Sequence, residues 1–178
     1  MRIPGLGELT EDDDLEWFVS GPVPVPVLGD AACRFIVEGR EDDEAPEDFD
    51  AAIAAFLALD PSVLAEAAPH VYAYYRDIMD DVLAEGDDEW YVAIDGPHAV
   101  FDHVRLGDEP HVTRDAHGDR RVYVSVECGC DWEPEHGLQL VFQDGRTVSK
   151  VGPYNGHVTN ANAYDDDNLI GVVYRPAR

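Results

Sequence analysis

The run Glu127-Cys128-Gly129-Cys130-Asp131-Trp132-Glu133-Pro134-Glu135-His136-Gly137 gathers the residue types of this chain that could do chemistry. Cys128, Cys130 and His136 are thiol and imidazole ligands within nine residues, and Glu133 and Glu135 could add oxygens. Zinc takes such ligands tetrahedrally, so one expectation is a zinc site, or a metal-dependent hydrolase with Glu133 or Glu135 as its base. The spacing is Cys-x-Cys, not the Cys-x2-Cys of zinc knuckles and ribbons, and no second cysteine pair follows. The competing expectation is a packed corner, with the cysteines turned inward, Trp132 plugging the sheet edge and the acids solvated. A nucleophilic cysteine fits less well. Reactive thiols need an electropositive setting, and here acids flank both thiols.

A second polar cluster, Tyr154-Asn155-Gly156-His157 with Thr159-Asn160-Ala161-Asn162, could bring His157 to the first as a further ligand or base. Read as a surface loop, it makes Asn155-Gly156 a turn. The run from Asp165 to Asn168 lacks the alternating ligands of a calcium loop. His98, His103, His111 and His117 read as surface or satisfied histidines. The chain carries no phosphate-cradling loop, nucleophile elbow or His-Glu-x-x-His helix.

The elements that must hold these residues follow from periodicity. Leu15–Ser20 reads as a strand. Gly21–Val27 has proline at every second position from Pro22, so it can only be an edge strand or polyproline II. Cys33, Phe35 and Val37 alternate as one strand face, with Cys33 a buried small hydrophobe. After an acidic loop, Phe49, Ile53, Phe56 and Leu57 recur at helical spacing. Asp60-Pro61 opens a second helix that Pro69 should kink or divide. Its Tyr72, Tyr74 and Tyr75 fall at core spacing. From Trp90 the pattern turns to strands. A hairpin spans Trp90–Leu106, and strands follow at His111–Arg114, Arg121–Glu127, Leu138–Phe142 and Arg146–Val151, with a last one at Leu169–Tyr174. Asp144-Gly145 marks a type I′ turn. Strands, then helices, then strands predict a single α+β domain over 1–178. It comprises N-terminal strands and an acidic loop (1–47), a helical hairpin or kinked pair (48–89), and an antiparallel meander packed on the helices (90–178).

The 178 residues carry a formal charge of −26. Residues 1–89 hold 24 acids against 4 basic residues, and residues 90–178 hold 14 against 8. Nucleic acid and anionic membranes both need a cationic footprint, so both are disfavoured as partners. A cationic protein partner, or simple solubility, is favoured. Eleven arginines stand beside one lysine, Lys150. The odd count of three cysteines, with Cys33 far from the pair, is not a secreted disulfide framework. The first residues carry no signal-peptide pattern and no run approaches a membrane span, so a cytoplasmic protein is expected. Self-association through the open sheet face or the Pro-Val edge is a further possibility, and the oligomeric state is open.

The run E-C-G-C-D-W-E-P-E-H-G-L-Q-L-V-F, followed by D-G and then G-H-V-T-N, resembles a family of uncharacterised bacterial proteins, a domain of unknown function. Its signature is Cys-x-Cys-x-Trp-Glu-x-Glu-His-Gly. The resemblance runs from the Trp17/Pro-Val region to Asn162, and implies an α+β domain without a particular activity. In size, charge and style the chain is also similar to immunity proteins of bacterial toxin systems. A non-enzymatic module binding a cationic partner is therefore the leading expectation, with the zinc site as its alternative.

Overall fold

The computed structural model describes residues 1–12 and 17–176. It is the expected α+β fold. The N-terminal third supplies strands β1 (Arg2–Ile3), β2 (Gly7–Asp12), β3 (Trp17–Ser20), β4 (Val23–Val25), β5 (Ala31–Cys33) and β6 (Ile36–Val37). Of the expected Leu15–Ser20 strand, Leu15 and Glu16 lie outside the described residues. The Pro-Val run does form a strand where it can, as β4 in a separate two-stranded ribbon with β5. Cys33, Phe35 and Val37 are all buried, as their alternation predicts.

Helix α1 spans Pro46–Leu57, with Pro46 at its first turn, where a missing N–H costs nothing. Helix α2 spans Ser62–Glu85, its first turn capped by Asp60 Oδ1 accepting from Ser62 N–H at 2.9 Å. Pro69 lies inside α2 without dividing it. The sharp bend is instead between the helices, which meet at 94°. Among the described residues, no single helix is long and apolar enough to cross a membrane.

The meander follows as β7 (Val104–Arg105), β8 (His111–Arg114), β9 (Val122–Cys130), β10 (Leu138–Gln143) and β11 (Thr147–Gly152), then a short helix α3 (Asn160–Tyr164). The main sheet runs β1-β2-β3-β6-β8-β9-β10-β11, with β7 on the far end of β9. All its pairings are antiparallel except β6 with β8. Asp144 and Gly145 both take positive φ, and Arg146 N–H donates to Gln143 O at 2.9 Å, the type I′ turn read from the sequence.

The expected Trp90–Leu106 hairpin does not form, apart from the two residues of β7, and neither does the last strand at Leu169–Tyr174. Two 3-10 turns, at 88–90 and 97–103, stand where the hairpin was expected. Helix α2 takes the backbone bonds that a partner strand would need. The Tyr75 hydroxyl donates to Val92 O at 2.7 Å and accepts from Ile94 N–H, and Met79 sulfur lies 3.2 Å from Val92 N. At Leu169–Tyr174 a single ladder-like bond survives, Val151 N–H to Val173 O. Asn160 Nδ2 there takes the carbonyls of Val172 and Val173.

The core lies between the helices and one sheet face. Val122, Val124 and Val126 of β9 and Leu138, Leu140 and Phe142 of β10 are buried there. Phe56 of α1 packs edge-on against Phe35 and Phe142, at 6.0 and 5.0 Å. The opposite face is divided. At one end the segment after β11 covers it, seating Val158 on Tyr123 and Val141. At the other end it is open.

Candidate functional site

Strand alternation decides where the cysteines go. β9 does not stop at Glu127 but continues to Cys130, so Cys128 and Cys130 share the core face with Val126, at 2% and 1% exposure. Burial pushes the Cys128 thiol up to about 12 and the Cys130 thiol up to about 11. Cys130 Sγ donates weakly to Glu133 O. Trp132 is buried too, edge-on to Tyr74 and Tyr75. The packed-corner expectation thus describes these three side chains.

His136 is on the other side, on an exposed turn after β9. Glu133 organises that turn: its carboxylate accepts from His136 N–H at 2.7 Å and lies 3.1 Å from His136 Nδ1. Glu135 N–H and Gly137 N–H also point to Glu133 oxygens. The structure does not join the two thiols with His136. Among the described residues, the ligand atoms that come within 4.8 Å of one another belong to Glu133, Glu135 and His136. The zinc expectation on Cys128, Cys130 and His136 therefore lacks its geometry. The physical reason is the two-residue period of β9, which sends both thiols inward.

What the run does build is a cleft of about 390 Å³ on the open sheet face. Its floor is Ser125 and Glu127 of β9 and His111 of β8, and Trp17 of β3 closes one end. One wall is the 107–109 link, where the chain leaves β9 between β7 and β8. The other is the 134–137 turn with Tyr154. Each wall needs a glycine. A Cβ on Gly107 would collide with the Glu127 carbonyl oxygen, and one on Gly137, at φ 61°, with that of Cys128. Tyr74 of α2 braces the second wall from behind, its hydroxyl donating to Gly137 O at 3.1 Å.

The cleft is acidic. Asp108, Glu109, Glu127 and Glu135 line it, with no lysine or arginine among the lining residues. Among the described residues, none of these four carboxylates takes part in a salt bridge. The His111 ring packs at a tilt against Trp17, centroids 4.9 Å apart, with Nε2 3.1 Å from Glu38 Oε2 but not aligned for a hydrogen bond. Burial lowers its pKa, against the opposing pull of Glu38. Outside the lining, the Arg105 guanidinium lies against Gly129, and Asp131 accepts from Arg105 and His103, which together hold its carboxyl below the ordinary range.

A family model described as a domain of unknown function, DUF6985, matches residues 5–158. The chain belongs to the DUF6985 family. No curated protein and no solved structure matches it. Every residue lining the acidic cleft lies inside the span matched to DUF6985.

His157, the remaining expected site residue of this DUF6985 chain, offers its backbone rather than its ring. Its N–H donates to Asn155 Oδ1 and its carbonyl accepts from Lys150 Nζ. Sequence reasoning missed Asp108, Glu109, His111, Ser125 and Trp17, which come from four separate strands and links. Only the outward parity of Ser125 and Glu127 on a strand was available as a signal. It also missed Lys150, whose signal was its rarity.

Proposed function

We propose that this DUF6985 protein is a non-enzymatic binding module whose cleft receives a basic side chain of a cationic protein partner. One observation carries the reading: four exposed carboxylates line one aromatic-ended cleft with no lysine or arginine among its lining residues. Trp17 and Tyr154 add ring faces, which attract ammonium and guanidinium groups. The charge of −26 steers any cation toward the molecule. An immunity protein that neutralises a basic toxin is the sharpest version of this reading. The thiols are no rival as nucleophiles, because burial holds them protonated.

An oligo-arginine peptide and a neutral peptide of equal length test the cleft by calorimetry. The arginine peptide should bind and the neutral one should not. Raising ionic strength from about 0.01 M to 1 M shrinks the screening length from about 30 Å to about 3 Å and should abolish binding. Glu127→Gln with Glu135→Gln should weaken it about tenfold, at about 0.5–1 kcal/mol per lost partner. Unchanged affinity in that double variant would sink the reading.

A second reading rests on the convergence of Glu133, Glu135 and His136. A divalent cation bound there would cross-link the exposed turn. Titration with zinc should then shift the His136 ring signals in the wild type and not in Glu133→Gln; equal shifts in both would remove this reading.

A further inference from the structure

Lys150 is the chain's single lysine, and it is 1% exposed. It sits on β11, where its Nζ donates to Gln139 Oε1, to Asn155 Oδ1 at 2.8 Å and to His157 O at 3.0 Å. All three acceptors are neutral. Among the described residues no carboxylate pairs with it, although the chain has 38 acids. A buried ammonium without a counter-ion is costly, and proteins ordinarily pair or neutralise one. Burial alone lowers this lysine to about 8.

Lys150 also lines a cleft of about 200 Å³, separate from the acidic one. Arg175 supplies a second cation to the same cleft, its guanidinium 4.2 Å over the Tyr164 ring. Tyr74, Tyr164 and Tyr174 contribute ring walls. Asp77 lines the cleft as well, and its carboxylate accepts from the Tyr174 hydroxyl at 2.7 Å. The charged side chains that line it are thus two cations, Lys150 and Arg175, and one acid, Asp77.

We propose that this cleft binds a small carboxylic acid with a flat, aromatic body. The carboxylate takes the place of Asn155 Oδ1 on the Lys150 ammonium, and the ring lies among the tyrosines. Asn155 is the acceptor that can yield. It is exposed, on a turn with Gly156 at φ 76°, and the other donor to its Oδ1, His157 N–H, lies on the same exposed turn where water can replace it, whereas Gln139 is buried and held by its bond to Ser125. A charged acceptor forms a stronger bond to an ammonium than a neutral amide oxygen does. Asn160, Tyr164, Tyr174 and Arg175 lie beyond the span matched to DUF6985, so this cleft joins the family domain to a segment outside it. The inference is independent of what fills the acidic cleft.

One lysine makes the test direct. In full-length protein labelled with 13C-lysine, the only lysine Cε signal reports on this cleft. Benzoate is the probe, with benzamide as its neutral counterpart. Benzoate should shift the signal saturably and benzamide should not. Arg175→Gln removes the second cation of the cleft and should weaken benzoate binding about tenfold, and Lys150→Met should abolish binding read by calorimetry. No shift up to about 10 mM benzoate, where a millimolar ligand is near saturation, would overturn the proposal. So would an equal response to benzamide, or an unchanged benzoate affinity in Arg175→Gln. The wild-type comparison of the two probes decides the matter even if Lys150→Met fails to fold.

Discussion

The two clefts differ in sign and in how the fold makes them. The acidic cleft is built from one exposed carboxylate on a strand, Glu127, and three on its two glycine-braced walls, all inside the family domain. The other is built around one buried ammonium and closed by a C-terminal segment outside the matched span. Exposed charges cost little to keep, so four of them can crowd one rim; a buried charge must be held by fixed oxygens. The first cleft is therefore defined by backbone shape, the second by hydrogen bonds. The largest expected effect follows from that contrast. Gly107→Ala forces a Cβ into the Glu127 carbonyl and should cost about 2–3 kcal/mol, as overpacking does. Urea denaturation would show the lowered midpoint, while the lysine Cε signal should stay in place. A wild-type midpoint would mean that the wall is soft and the cleft is not preformed.

The second cleft should respond to pH instead. Lys150 titrates near 8 in the folded protein against 10.5 for a free lysine. Between those values the unfolded chain binds a proton that the native chain has released, so stability rises with pH across about 8 to 10.5. The buried thiols of Cys33, Cys128 and Cys130 act in the opposite sense above 9, since their native values are raised. The readout is therefore the stability of wild type relative to Lys150→Met, from urea denaturation at pH 7 and pH 10. The wild type should gain on the variant as pH rises. A constant difference would place the Lys150 ammonium in a solvated setting and remove the contrast between the clefts.

Much of the fold was legible, because side-chain period reports it. The alternation of Val122, Val124 and Val126, the helical spacing of Phe49, Ile53 and Phe56, and Asp144-Gly145 each named an element that the structure contains. The failures share one cause. Trp90–Ile94 and Leu169–Tyr174 look like strands locally, but the side chains of Tyr75, Met79 and Asn160 hold their backbone groups from distant positions. The candidate site was half legible. Parity along β9 could have sent Cys128 and Cys130 inward with Val126, had the strand been carried past Glu127. The acidic cleft brings together Trp17, Asp108, Glu127 and Glu135, whose proximity depends on sheet order. The parallel pairing of β6 with β8 sets that order, and no local pattern encodes it.

The smallest expected effect is none, and it sharpens what kind of cleft the acidic one is. A structural zinc held by thiolates stabilises a fold by about 10 kcal/mol or more, and about 1 kcal/mol moves the melting temperature of a domain this size by about 2–4 °C. Removing such an ion would lower melting by tens of degrees. Cys128 and Cys130 instead contribute as buried apolar groups behind the 134–137 wall, with thiols pushed up to about 12 and about 11. Overnight dialysis against a chelator should leave the melting temperature unchanged, and native protein at pH 7 should resist alkylation until urea exposes its thiols. A fall of many degrees on chelation, with both thiols becoming reactive together, would turn the run from Cys128 to His136 back into a metal centre. The acidic cleft would then owe its shape to an ion rather than to Gly107, Gly137 and the strand that separates them.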